Sequence, residues 1–207
     1  MLRVLGDTPC PVVPHAVDGV PVVEIGPYCF ADKPVTGGTL WPADSADTHE
    51  ITGNFVEEVT LPDAVRVIDS AAFYNCRRLR RVALGPAADS FGSDLFTNCR
   101  SLQTLELHAD PGEPTGLRRL LVAISADVTV AFTGGARLFY PEYFELLDEN
   151  TPAHIFNHSI EGEGYRMRQC FAPDGSLDFA AYDASFAQAC VGESEEKLCK
   201  LALGRLC

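Results

Sequence analysis

No apolar run in this chain approaches the ~18 residues a membrane-spanning helix needs, so none is expected. The opening residues, Met1-Leu2-Arg3-Val4-Leu5-Gly6-Asp7, lack the apolar stretch of a secretory leader. The expected location is therefore cytoplasmic, or surface or secreted if a leader has been removed. Basic residues are scarce: 16 Lys and Arg stand against 29 Asp and Glu, a formal net charge of -13. Affinity for nucleic acid and for anionic bilayers comes largely from such cations, so neither is expected as a partner. No CxxC pair occurs among Cys10, Cys29, Cys76, Cys99, Cys170, Cys190, Cys199 and Cys207, so zinc-knuckle spacing is missing. No metal and no other cofactor is expected. With no leader in view, these cysteines read as buried free thiols, because Cys behaves as a small hydrophobe.

What the chain does have is enough apolar residue for a packed core: 46% hydrophobic against 22% charged. It also repeats itself. Val59-Thr-Leu61, Val82-Ala-Leu84, Leu105-Glu-Leu107 and Val128-Thr-Val130 each begin 23 residues after the last. Each alternates apolar and other residues, the period of a strand with one buried face. The same step relates Ile68 to Phe91, Phe73 to Phe96, Asn75-Cys76 to Asn98-Cys99, and Leu79 to Leu102. An imperfect earlier copy runs from Pro11-Val-Val13-Pro14 to Ile25-Gly-Pro-Tyr-Cys-Phe30. A loop insertion follows, at about 33–54, rich in Gly, Pro and small polar residues. No copy can bury its apolar face alone, and stacking joins these faces into one core. The expectation is a solenoid with one parallel strand per ~23-residue coil, at ~4.8 Å spacing. Each Asn should bond turn backbone and each Cys should fill a small inner site.

The pattern Val59-x-Leu-Pro-x-x-Val65-x-x-Ile68-x-x-x-Ala72-Phe73-x-x-Cys76-x-x-Leu79-x-x-Val82-x-Leu84 resembles the BspA-type leucine-rich repeat. Pro14-x-x-x-Asp18-Gly19-x-Pro21-Val22-x-x-Ile25-Gly26 resembles that family's usual first repeat. The resemblance covers roughly residues 10 to 132 and implies a curved solenoid used for protein or surface recognition. The third copy departs from it: Ser90-Phe91-Gly-Ser-Asp-Leu-Phe96 lacks the small residue before Phe.

Leu117, Leu120, Leu121 and Ile124 form one helical stripe that should replace the outer limb of the last coil and end the array. The fold class is thus α/β repeat, with a repeat domain at 1–133 and a mainly helical segment at 134–207 packed on the last coil. In that segment helices are expected from Tyr140 to Leu147, after Pro152, over Phe179–Cys190, and from Ser194 to the end. The last runs to Cys207 without a stop signal, as expected of a chain cut short there.

Four groups are candidate sites. Arg77, Arg78, Arg80 and Arg81, with Arg100 in register with Arg77, form a local reversal of charge. They read either as a docking patch for an acidic protein or as an edge balanced by neighbours. Arg81 should ion-pair with Glu58 across the strands. Thr60, Ala83, Glu106 and Thr129 would form the exposed row of the sheet. Tyr165, Arg166 and Arg168, within Gly162–Phe171, could recognise a peptide or anion, or belong to a turn into a short amphipathic strand. Cys170 with His154 or His158 and Asp174 has the residue types for acyl transfer but no catalytic signature. The expected function is a protein–protein interaction module without catalysis, acting as a monomer or weak homo-oligomer. The alternatives are a self-assembling structural component and an enzyme using Cys170.

Overall fold

A computed structural model describes residues 3–32, 49–147, 158–192 and 199. In chain order its elements are β1 (Leu5–Gly6), β2 (Ala16–Val17), β3 (Val20–Pro21), β4 (Glu24–Ile25), β5 (His49–Glu50) and β6 (Glu58–Thr60). Then come β7 (Val67–Ile68), β8 (Arg81–Leu84), β9 (Ser90–Phe91), β10 (Thr104–Leu107), helix α1 (Leu117–Val122) and β11 (Val128–Phe132). The chain continues through β12 (Arg137–Tyr140), β13 (Phe144–Leu147), β14 (His158–Glu161), α2 (Glu163–Met167) and α3 (Phe179–Gly192).

The repeat closes into coils as its spacing predicts. One sheet runs in the order β12-β11-β10-β8-β6, and a second, on the other limb, runs β4-β7-β9. Val59, Val82 and Leu105 are lateral neighbours in the first, and Ile25, Ile68 and Phe91 in the second, all in parallel strands. All but Phe91 are essentially excluded from water. Burying an aliphatic side chain of this size contributes about 1.5–3 kcal/mol, which is what holds two-residue strands in register.

Stacking continues inside the coils. The rings of Phe30, Phe73 and Phe96 lie nearly parallel, with centroids 5.1 and 5.3 Å apart, close to the spacing of paired strands. The Cys76 thiol donates to the carbonyl of Phe30 at 3.1 Å and the Cys99 thiol to that of Phe73 at 3.0 Å, so each cysteine fills an inner site. Asn75 and Asn98 adopt left-handed backbone (φ 62° and 66°), which Asn tolerates better than most residues. Their side chains bond each other, Nδ2 of Asn98 donating to Oδ1 of Asn75 at 2.7 Å, rather than turn backbone as expected. At Gly92 neighbouring coils touch: a Cβ there would lie 2.2 Å from the backbone nitrogen of Ser70.

The fourth strand departs from the expected step. Val130, not Val128, pairs with Leu105, an advance of 25 residues in place of 23. The coil that contains α1 takes two residues more, and an even number keeps each side chain on its own face. Val128, Val130 and Phe132 therefore stay buried, and the outer row becomes Thr60, Ala83, Glu106 and Ala131. Ala83 in that row is buried.

The C-terminal segment is less helical than expected. Tyr140–Leu147 is not a helix: Tyr140 ends β12, and Phe144–Leu147 is β13, paired antiparallel with β14. Gly134 and Gly135, both at positive φ, turn the chain so that β12 adds antiparallel to the free edge of β11. A row of ladder hydrogen bonds and the burial of Leu138, Phe139 and Tyr140 outweigh the helical reading of the local pattern. Residues 163–167 form a helix and not the expected strand; Gly164, Met167 and Arg168 supply its buried stripe. The helix over 179–190 is present, and extends to Gly192. One apolar core runs from Val13 to Ala189, through repeat and C-terminal segment alike. Of the insertion at 33–54, its end is ordered as β5, paired with β1, and a 3-10 turn at Gly53–Phe55. Its stretch 33–48, the helix after Pro152, and all of the last helix but residue 199 lie outside the described residues.

Candidate functional site

The arginine cluster lies in the turn that leads into β8 and at that strand's first residue, and most of its charge is already met. Glu57 takes ion pairs from Arg78 and from Arg80, the latter at 2.9 Å. Arg81 lies 3.3 Å from Glu58, as the register predicts, and 2.7 Å from Glu106. Beside it, Nδ1 of His108 lies within hydrogen-bond distance of Asp63, at 2.7 Å. Arg100 donates to the side chain of Asn98 at 2.8 Å. Among the described residues the Arg77 guanidinium has no partner. Exposed pairs of this kind contribute little, about 0–1 kcal/mol each. They do lower the net field that an acidic partner would meet.

The second cluster separates. Arg168 points inward and is fully buried, so it is no surface recognition residue. Its Nε donates to the carbonyl of Leu121 at 3.2 Å, Nη2 to Ala126 at 2.8 Å, and Nη1 to Gly164 at 2.8 Å and to Pro141. The ring centroids of Tyr143 and Tyr140 lie 5.1 and 5.9 Å from the guanidinium carbon, within range of a cation–π contact. Burial lowers the Arg168 pKa to about 10, which leaves it charged at neutral pH. One side chain thus ties α1, the turn before β11, the end of β12 and α2 together. Tyr165 packs edge-on against Tyr143 at 5.3 Å, and Arg166 bonds the side chain of Gln188 on α3. Both contacts lie within the C-terminal segment.

Cys170 is buried beside Ser185, its sulfur 3.5 Å from that hydroxyl, and burial raises its pKa. A nucleophilic thiolate needs the opposite shift. Asp174 accepts hydrogen bonds from Ser176; His154 and the His158 side chain lie outside the described residues. The repeat thiols are more strongly held: burial pushes Cys29 and Cys99 up to about 12, and Cys76 higher still. At pH 8 iodoacetamide should therefore label exposed Cys10 well before Cys29, Cys76 and Cys99, as peptide mapping would show. Equal labelling of all four would contradict the buried ladder.

A feature that the sequence reading did not single out lies beside the third coil. A groove of about 610 Å³ is lined by residues 91–95 and Thr97 of the third limb, by Arg119, Val122, Ala123 and Ser125 in and after α1, and by Tyr143 and Phe144. Phe144 is 55% exposed and Val122 38%. Phe91, half-buried, completes an apolar lining, with Asp94 and Arg119 supplying opposite charges. The signal was available in part. A helix in place of the fourth limb leaves the third limb without the neighbour that its predecessors have. A second cleft, about 500 Å³, lies between α1 and Pro173–Gly175 and mixes Asp89, Arg118, Arg119 and Asp174 with prolines.

Among the described residues no group of His, Cys, Asp and Glu is arranged to hold a metal, and no helix is long and apolar enough to cross a membrane. Residues 51–112 match the family model described as "BspA type Leucine rich repeat region (6 copies)". No curated protein and no solved structure matches the chain significantly.

Proposed function

We propose that the BspA-type leucine-rich repeats of residues 51–112, capped by α1 and the C-terminal segment, form a protein-binding module whose partner sits in the groove beside the third coil. Repeat arrays present extended, rigid surfaces, and such repeats commonly serve protein recognition. One observation carries the choice of place: exposed Phe144 and Val122 meet Phe91 around a single groove. Aromatic and aliphatic anchors in a pocket are the usual centres of binding energy, whereas the ion-paired arginine face offers rim contacts. The chain acts as a monomer or weak homo-oligomer and without catalysis. The buried Cys170 thiol, its pKa raised, speaks against the enzyme alternative.

Affinity capture from a native lysate, read by mass spectrometry, tests the reading. Wild type and the Arg77→Gln/Arg78→Gln/Arg80→Gln variant should capture the same protein, and the Val122→Asp/Phe144→Asp variant should lose it. Loss with the arginine variant alone would move the site to the charged face. Self-assembly is a second reading, favoured by Val12, Val17, Val20 and Val23, all exposed in the first coil. A molar mass that climbs with concentration, and falls back when Val12 and Val20 become Asp, would support it.

A further inference from the structure

We propose that the groove takes a non-helical segment of the partner protein, whose backbone carbonyls add one more rung to the solenoid. The proposal rests on the protein-binding reading and specifies how the partner is held. Each limb of the early coils donates backbone N–H groups to the next. Tyr28 and Phe30 donate to the carbonyls of Ser70 and Ala72 at 3.2 and 2.8 Å. Ala71, Phe73 and Asn75 donate to Ser93, Leu95 and Thr97 at 2.8, 3.2 and 3.0 Å. The corresponding donors of the third coil, 23 residues on, are Asp94, Phe96 and Asn98.

Among the described residues, none of those three N–H groups has an acceptor. The cause is the change of element in the fourth coil. Where another limb would present carbonyls, α1 presents Val122 and Ala123 across the groove. The solenoid thus continues its coil-to-coil interface with donors alone, and backbone donors left without acceptors favour a ligand that supplies them.

The geometry restricts that ligand. Its acceptors must fall on alternate residues, as those of Ser93, Leu95 and Thr97 do for the coil before. A helix cannot serve, because its carbonyls are already bonded within it. A polyanion could accept hydrogen bonds, but it would meet Asp94 and a chain of net charge -13. A peptide segment meets the requirement as a strand does when it adds to an open sheet edge. An apolar side chain of the segment would lie among Phe91, Val122 and Phe144, and the opposed charges of Asp94 and Arg119 favour a segment of low net charge.

The test is selection of a random displayed peptide library on the whole protein, followed by synthesis of the most enriched peptide. Two readouts follow: binding to wild type and to Val122→Asp/Phe144→Asp, and amide hydrogen exchange of wild type with and without the peptide. The expected results are binding weakened about tenfold or more by the variant, and exchange at Asp94, Phe96 and Asn98 slowed about tenfold or more in the complex. The exchange readout uses wild type alone, so it stands even if the variant folds poorly. A peptide that needs Val122 and Phe144 but leaves the three amides unprotected would overturn the added rung and keep the groove. A peptide that binds both proteins equally and protects none of the three would overturn the site itself. Enrichment of no peptide would also overturn the rung, while the capture experiment judges the protein-binding reading independently.

Discussion

Leu84→Asp is expected to leave no soluble protein with a cooperative melting transition. Leu84 ends β8, is 1% exposed, and pairs with Leu107 on the neighbouring strand. A carboxylate there would have neither water nor a counter-charge, and a lone buried charge is among the most costly changes a core can suffer. The penalty should exceed about 4 kcal/mol, a large part of the 5–15 kcal/mol that holds an ordinary domain folded. The neighbouring outward position gives the control. Glu106→Gln removes an exposed partner of Arg81 and should shift stability by less than about 1 kcal/mol. Thermal unfolding followed by circular dichroism separates the two, and a normal transition in Leu84→Asp would show the inward face to be misassigned.

Arg168→Met should have the next largest effect, and a local one. Methionine matches the stem but leaves the carbonyls of Ala126 and Pro141 without a donor, and takes one donor from those of Leu121 and Gly164, which keep backbone partners. Each buried acceptor left without a donor costs about 1–3 kcal/mol, so a total of about 2–6 kcal/mol is expected, less with partial hydration. The loss falls on the joint between the last coil and α2, so residues 158–192 should become sensitive to protease while the repeats stay intact. Arg168→Lys should recover only part of the loss, because one ammonium cannot reach carbonyls spread around a planar fork. Uniform resistance to protease in Arg168→Met would deny the side chain its role as a tie.

Much of the repeat was legible in the sequence because each coil meets the same neighbour in the same way. Val59, Val82 and Leu105 announce a shared strand position, Ile25, Ile68 and Phe91 another, and Arg81 facing Glu58 follows from the register alone. Legibility ends where that regularity ends. The two residues added by the coil containing α1 carry no local mark, so the 23-residue step points to Val128 as the partner of Leu105 where Val130 belongs. The pattern of Tyr140–Leu147 suggests a helix, yet Tyr140 ends β12 and Phe144–Leu147 is β13, strands held by partners distant in sequence, β11 and β14. The buried stripe of α2 consists of Gly164, Met167 and Arg168, and two of these three do not look like core residues. A close contact explains the glycine: a Cβ on Gly164 would lie 2.1 Å from the carbonyl oxygen of Pro141.

The candidate site was less legible than the fold. Charge drew attention to Arg77, Arg78, Arg80 and Arg81, yet the carboxylates that meet three of them arrive from Glu57, Glu58 and Glu106, on flanking coils. The groove depends on something missing from a pattern. Phe91, Val122 and Phe144 come from three different elements, and only the loss of a fourth limb opens the space between them.

Site-specific photo-cross-linking tests the central claim most directly. Benzoylphenylalanine is placed at Val122 in one protein and at Arg77 in another, and each is irradiated in native lysate. The account predicts a single protein adduct from position 122 and none from position 77. An adduct from position 77 with none from 122 would contradict it and place the partner on the arginine face.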